Sequence, residues 1–354
     1  GDSTVLALIQ GGARVTTLPD GAEGFVVTAS TPFYGESGGQ VGDVGEMQAG
    51  HTRAAVTDTR KPNGDLVAHV VTVSGGSLSV GDTVQLTVGG EARGAGQRNH
   101  TATHLLQAAL RTVLGDHVAQ KGSLVGPDRL RFDYSHHKAM SHEEVRAAEA
   151  LVYEQILANT AVTQELMPID DAKARGATAM FGEKYGAEVR VITVGDFSME
   201  LCGGTHVSRT GDIGLFRIVS ESGVAAGVRR IEAQTGRGAL AVMRDEHTLL
   251  AEAAEALRVP TGDLPATVAK LLEDNRALRK ELEEERKRAA LAAAGEMLSD
   301  TREIGGIKVL AAESEDANGM REQADKLRAQ LGSGVVVLGA RPEGKKAILL
   351  VAIT

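Results

Sequence analysis

Two short spacings carry the chemistry of this sequence. His100-Thr-Ala-Thr-His104 sets two imidazoles four residues apart, and on a helix residues i and i+4 share a face, so both rings can turn toward one ion. The same separation recurs at Cys202-Gly-Gly-Thr-His206, where paired glycines allow a tight loop to gather the ligands. Three imidazoles and a thiolate suit zinc, which accepts mixed nitrogen and sulfur donors in a tetrahedron. A lone His-x-x-x-His is often only a helix face. Here the single cysteine of the chain falls inside the second pair, which favours the metal reading. His51, His69, His117, His136, His137, His142 and His247 show no comparable pairing and read as ordinary surface or core histidines.

Four protein ligands normally close a zinc site, whereas catalytic zinc keeps a position for water. The sequence leaves the role open. The ion is structural, or one ligand yields to water, or the ion anchors a substrate while a bound water attacks.

Two further segments could meet a ligand. In Thr31-Pro-Phe-Tyr-Gly-Glu-Ser-Gly-Gly-Gln40, Gly38 and Gly39 let backbone approach closely and Gln40 could bond a nucleotide edge or ribose. The bland reading is a barrel loop with unusual backbone angles. Gly38-Gly39-Gln40 also spells the tripeptide of peptide-release factors, but three residues in a Gly-rich stretch are weak grounds. In Ala226-Gly-Val-Arg-Arg-Ile231, adjacent arginines on a strand point to opposite faces. One of Arg229 and Arg230 could line a groove for phosphate while the other meets solvent or an acid. Alone, such a strand is most often plain surface.

The elements that must position these residues follow from periodicity. Residues 1–92 read as short strands and tight turns, including Leu66–Val73, Val80–Val88 and an Asn63-Gly64 hairpin signal, and a small β-barrel uses such strands without open edges. From Asn99, Leu105, Leu106, Ala109, Leu110 and Val113 recur at helical spacing up to Gly115. A second helix runs from an N-cap at Ser141, with Glu144 at the capping-box position, to about Asn159. Strands return at 188–194, 216–221 and 229–234, so residues 93–236 read as an α+β domain. Residues 237–299 read as helix interrupted by Pro260 and Pro265, with Asp263 as a cap. A short seam of Val268, Leu271, Asn275, Leu278 and Leu282 fits a helical hairpin better than a long coiled coil. Residues 300–354 read as the opening of an α/β domain that stops at a strand end. The fold class is therefore α+β: a barrel, a zinc-bearing α+β domain, a helical segment and a partial α/β domain.

Bulk properties set bounds. The 354 residues allow two or three domains, and a net charge of −9 argues against gripping nucleic acid over the whole surface, though not against a local basic groove. One cysteine excludes an intramolecular disulfide and fits a reducing, cytoplasmic setting. No apolar run reaches the length of a membrane span. The chain opens on Gly1 rather than Met and reads as a piece of a longer protein.

Taken together, Thr31–Gln40, Asn99–Leu106, Gln120-Lys-Gly-Ser-Leu124, Asp196–Val207 and Gly227–Ile231 resemble the editing half of bacterial alanyl-tRNA synthetases. The resemblance is dense from about residue 3 to 236. It implies a translation-protein-like barrel, a zinc-dependent editing domain, helices, and a C-terminal domain that binds tRNA and mediates dimerisation in the full-length parent. The half that activates alanine with ATP would lie upstream, and the C-terminal domain breaks off at Thr354. The implied activity is hydrolysis of the aminoacyl ester of mischarged Ser-tRNA(Ala) and Gly-tRNA(Ala), with the 3′ acceptor end of tRNA(Ala) as partner and zinc as cofactor. Such editing is needed because a pocket sized for a methyl group admits glycine and rejects an added hydroxyl only ~10²-fold. Gln120 matches the position that senses the substrate side chain, and Thr103, beside His104, is a second candidate for the serine hydroxyl. Gly38, Gly39, Gln40, Arg229 and Arg230 are the expected substrate-binding residues. His100, His104, Cys202 and His206 are the expected metal ligands. Three alternatives stay open: a free-standing trans-editing deacylase, a threonyl-tRNA synthetase editing domain, which shares the His and Cys spacings, and a zinc-stabilised tRNA-binding module without chemistry.

Overall fold

The computed structural model describes residues 1–179, 186–314, 319–341 and 347–353. The chain divides into two compact units, Gly1–Leu249 and Leu250–Thr354.

Strands with one apolar face must bury it, and the opening strands do so by closing a sheet on itself. These are β1 (Asp2–Gln10), β2 (Ala13–Val15), β3 (Thr17–Leu18), β4 (Glu23–Thr28), β5 (Gly45–Ala49), β6 (Thr52–Asn63), β7 (Leu66–Ser74), β8 (Leu78–Ser79) and β9 (Thr83–Val88). The order β2-β1-β4-β7-β6-β5-β9, with β1 also paired to β9, closes six strands into a barrel and leaves β2 outside as an appendage. β3 and β8 form a separate two-stranded pair. Val5, Leu8, Val26, Met47, Val71 and Leu86 fill the interior. The β6–β7 hairpin turns at Gly64, whose φ of 52° explains the Asn-Gly pair.

Next come α1 (Gly90–Leu114), β10 (Gln120–Val125), β11 (Leu130–Ser135), α2 (His142–Ala158), β12 (Val162–Pro168), α3 (Ile169–Ala174), β13 (Glu188–Val194), β14 (Ser198–Leu201), β15 (Phe216–Ala225) and β16 (Val228–Thr235). α1 starts at Gly90, earlier than the apolar periodicity indicates, because its first turns are held by the barrel: Arg93 forks onto the buried Asp43 carboxylate through Nε at 2.8 and 3.0 Å. α2 has the capping box expected of Ser141 and Glu144, with both reciprocal bonds present. The antiparallel sheet β10-β11-β16-β15 shares one core with α1 and α2, in which Leu105, Leu110, Phe132, Val152 and Ile231 are buried. β12-β13-β14 form a second antiparallel sheet carrying α3.

α4 (Gly236–Leu257) continues the chain, and α5 (Leu264–Ser299) is a single helix of 36 residues. Pro265 sits in its first turn, where a missing N–H costs nothing. Asp263 occupies the N-cap position but makes no side-chain capping bond, contrary to the expectation from sequence; it has already turned into helical geometry after the 3₁₀ turn Thr261–Asp263. The seam residues Val268, Leu271, Leu278 and Leu282 are exposed. The remaining elements are β17 (Arg302–Ile304), β18 (Ile307–Glu313), α6 (Met320–Leu331), β19 (Val335–Ala340) and β20 (Ile348–Ile353). β18 and β19 pair in parallel across α6, a β-α-β crossover, and β17 and β20 flank them antiparallel. Among the described residues no helix is long and apolar enough to cross a membrane.

Candidate metal centre and its cavity

The α1 face bearing His100 and His104 meets the loop that follows β14, and one donor atom each from His100, His104, Cys202 and His206 lies within 4.8 Å of the others. Zinc bonds of about 2.3 Å to sulfur and about 2.0 Å to nitrogen put tetrahedral S···N pairs roughly 3.5 Å apart. Sγ of Cys202 is 3.4 Å from Nε2 of His100 and 3.3 Å from Nε2 of His206. The loop reaches this position because residue 204 is glycine: a Cβ there would stand 2.1 Å from Cε1 of His100.

Each imidazole is aimed by a hydrogen bond on its other nitrogen. Nδ1 of His100 donates to Oε1 of Gln40 at 2.7 Å, and the amide cannot be reversed because the same oxygen accepts from the backbone N–H of Thr205 at 2.8 Å. Nδ1 of His104 donates to Oε2 of Glu200 at 2.6 Å. Nδ1 of His206 donates to the Thr101 hydroxyl at 3.2 Å, which itself donates to the Gln97 carbonyl at 3.0 Å. All three Nε2 atoms are thereby turned toward one point. This is how metal-ligating histidines are oriented in proteins. Nε2 of His104 is fully buried and has no hydrogen-bond partner, which an ion at that point would supply.

Electrostatics agree with a cation site. Burial alone would raise the Cys202 thiol, but His100 and His104 reverse that and hold it well below its ordinary value, as the thiolate. Burial and the neighbouring His100 push His206 down to about 3, so it is neutral. Burial also opposes charge on His104, yet Glu200 and Cys202 outweigh it and raise its pKa well above the usual range, so a metal bound here would displace the proton on its Nε2. These residues could therefore hold a metal ion, with the thiolate as the charged donor.

A cavity of about 660 Å³ opens above this cluster. Its walls include His100, His104, Cys202, Thr103, Gln120 and Gly38. Gln120 is half-buried on β10 and donates through Nε2 to the Ser123 hydroxyl at 3.0 Å. Thr103 is buried, its hydroxyl donating to the Asn99 carbonyl at 2.9 Å. Ser37-Gly38-Gly39-Gln40 makes a tight turn with φ of 56° and 83° at its glycines, the combination a type I′ turn needs. A Cβ on Gly39 would come 2.7 Å from the Ser123 carbonyl oxygen, so only glycine lets this loop lie against β10.

The expected substrate-binding set is thus divided. Gly38 faces the cavity. Gly39 shapes the turn. Gln40 is 3% exposed and spends its amide on His100 and Thr205, not on an open face. Arg229 is clamped to Glu221 at 2.6 Å through two nitrogens, and Arg230 is forked onto Asp133 at 2.6 and 2.8 Å. Neither arginine lines the cavity. Three residues not singled out from sequence, Glu200, Thr101 and Arg190, prove central to the geometry. Ser198, Glu200 and Cys202 alternate along and just past β14, so a period of two already places Glu200 on the face of Cys202. Thr101 shares the α1 face between the two histidines. Arg190 on β13 donates to the Cys202 carbonyl at 3.0 Å and to the Gly204 carbonyl, pinning the ligand loop from behind.

Two segments of the chain match known families. Residues 189–232 match the family described as "Threonyl and Alanyl tRNA synthetase second additional domain", and residues 1–92 match "tRNA synthetases class II (A)". The chain is 50% identical over 348 residues to an alanine–tRNA ligase of Stenotrophomonas maltophilia, covering 98% of this chain and 40% of that protein. It is 50% identical over 353 residues to that of Chromohalobacter salexigens, covering 98% of this chain and 41% of the relative. It is 48% identical over 360 residues to that of Paramagnetospirillum magneticum, covering 99% and 40%. The chain spans about two-fifths of the length of these curated relatives. By these matches the chain corresponds to a portion of an alanyl-tRNA synthetase.

Proposed function

We propose that this chain hydrolyses the aminoacyl ester of mischarged Ser-tRNA(Ala) and Gly-tRNA(Ala) in a zinc-dependent manner. The observation that carries the reading is the convergence of three imidazole Nε2 atoms and a thiolate at the floor of a cavity walled by Thr103 and Gln120. Similarity to alanine–tRNA ligases over 98% of the chain supports it.

In this reading His100, His104, Cys202 and His206 hold the ion, which when bound supplies polarisation of the ester or of its attacking water. Gln120 and Thr103 contact the amino acid side chain: the Thr103 oxygen, already donating to Asn99, accepts from a serine hydroxyl, and the Gln120 amide can donate or accept beside it. Gly38 keeps one wall free of side chain so that the terminal nucleotide can approach. Lys61, at the end of β6, reaches the same cavity. Its stem passes over Gly35, where a Cβ would be 2.6 Å from Lys61 Cγ. This ammonium pairs with the fully exposed Asp65 carboxylate at 3.3 Å, a partner that solvent screens, and exchanges it for the phosphodiester behind the 3′-terminal nucleotide. Arg229 and Arg230, already neutralised, hold β16 against β15 and β11 rather than phosphate.

The test is hydrolysis of Ser-tRNA(Ala) and Ala-tRNA(Ala) by the purified chain, with and without zinc. Selective, zinc-dependent release of serine is expected, and Cys202→Ala should abolish it. Full activity in a zinc-depleted Cys202→Ala protein would overturn the reading.

The closed set of four protein donors favours a second reading, a metal-stabilised tRNA-binding module without chemistry. It predicts tRNA binding without turnover, and unfolding when the metal is removed.

A further inference from the structure

We infer that His117, His136 and His137 form a second metal site, separate from the Cys202 cluster, that binds a borderline divalent cation such as Zn²⁺, Co²⁺ or Ni²⁺. One ring nitrogen of each of the three lies within 4.8 Å of the others. Nε2 of His117 and Nδ1 of His136 face each other at 2.8 Å. The ring centroids of His136 and His137 are 4.7 Å apart, and those of His117 and His136 are 5.1 Å apart. The cluster shares no residue with the first site. His117 follows the end of α1 and His104 lies on that helix, so about 15 Å of helix separates the two, at 1.5 Å per residue.

The backbone under the cluster is built rather than incidental. The Ser135 hydroxyl donates to the His117 carbonyl at 2.7 Å and accepts from the Ala119 N–H at 2.9 Å, tying the turn after α1 to the end of β11. The N–H of His136 donates to the Gly227 carbonyl at 3.1 Å. The backbone at His117 and at His136 is thus held by contacts that do not involve the rings, and His137 follows directly in the chain. His136 is 4% exposed, whereas His117 and His137 are exposed. Lys138, the nearest cation in sequence, is engaged by Glu144 at 3.2 Å.

Imidazole selects zinc, nickel, cobalt and copper over magnesium and calcium, which prefer oxygen donors. Without an ion, the 2.8 Å contact is an imidazole–imidazole hydrogen bond. With one, both nitrogens become ligands after separating by a few tenths of an ångström. Three nitrogens with two rings in solvent leave positions for water, so the site should bind more weakly than the buried cluster with its thiolate.

The experiment is a Co²⁺ titration of the chelator-stripped chain, followed by visible absorption and metal analysis. Wild type should take up two ions in separate phases. The tighter phase carries the sulfur-to-cobalt charge-transfer band, and the weaker one shows only nitrogen- and oxygen-ligand bands. His104→Ala/Cys202→Ala should lose the first phase and keep the second. His117→Ala/His137→Ala, which alters exposed side chains, should weaken the second phase about 100-fold and leave the first unchanged. A single phase in wild type would overturn the proposal, and this measurement needs no variant to fold. So would a second phase that survives His117→Ala/His137→Ala.

Discussion

His104 and Glu200 are joined at 2.6 Å with both side chains only 9% exposed, so a carboxylate held out of water fixes the ring that projects its free nitrogen into the metal cluster. Removing such an orienting partner typically costs 10–100-fold in metal affinity. Glu200→Gln keeps the shape but loses the charge. It is expected to weaken zinc binding about 10-fold, and Glu200→Ala more. Competition with a chromophoric chelator reads both, and unchanged affinity in Glu200→Ala would remove Glu200 from this role.

Gly204→Ala tests the packing of the ligand loop. Its Cβ would lie 2.1 Å from Cε1 of His100 and 2.7 Å from Oε1 of Gln40, so loop and ring cannot both keep their places. Overpacking of this kind costs about 1–3 kcal/mol. The variant is expected to lose metal affinity together with thermal stability. Gly203→Ala, with open space around its Cβ, should lose little of either.

Lys61 gives a prediction about the substrate. With Lys61→Ala, KM for Ser-tRNA(Ala) should rise about 10-fold with kcat held. The salt dependence of kcat/KM should flatten by about one phosphate contact, roughly 0.7–0.9 in log–log slope. Hydrolysis of 3′-seryl-adenosine, which has no phosphate, should be unaffected. Equal loss on both substrates would mean that Lys61 supports the cavity rather than the phosphate.

The barrel carries its own pH dependence. His69 is fully buried, with Nδ1 donating to the Val26 carbonyl at 2.9 Å and Nε2 facing the Thr31 hydroxyl at 2.8 Å. Burial lowers its pKa despite the Val26 bond. In the unfolded chain it titrates near 6.5, about the free value. Below that pH the unfolded state takes up a proton that the folded state refuses, so the stability His69 contributes is present above about 6.5 and falls away as pH drops. Chemical denaturation at pH 7.5 and 5.5 should show wild type losing more stability than His69→Gln over the same interval. Parallel losses would exclude His69 as the source.

Local spacing determined much of what is seen here. The i,i+4 pair at His100 and His104 lies on one helix face whatever surrounds it. Alternation of apolar residues specified strands up to Val88, Asn63-Gly64 marked the β6–β7 turn, and Ser141 with Glu144 marked the start of α2. These are short-range consequences of backbone geometry and hold before any tertiary contact forms. Other features needed the fold. Gln40 and His100 are 60 residues apart, and only the packing of the Gly38–Gly39 turn against β10 turns that amide from a ligand-facing group into a support for an imidazole. The sequence leaves one of Arg229 and Arg230 for a phosphate, but Asp133, opposite Arg230 on β11, and Glu221, diagonal to Arg229 on β15, take both. The cluster of His117, His136 and His137 follows no helical or strand period, because a turn after α1 and the end of β11 bring it together. Long-range pairing decides which polar groups are spent on one another, and the groups left over define the cavity and its chemistry.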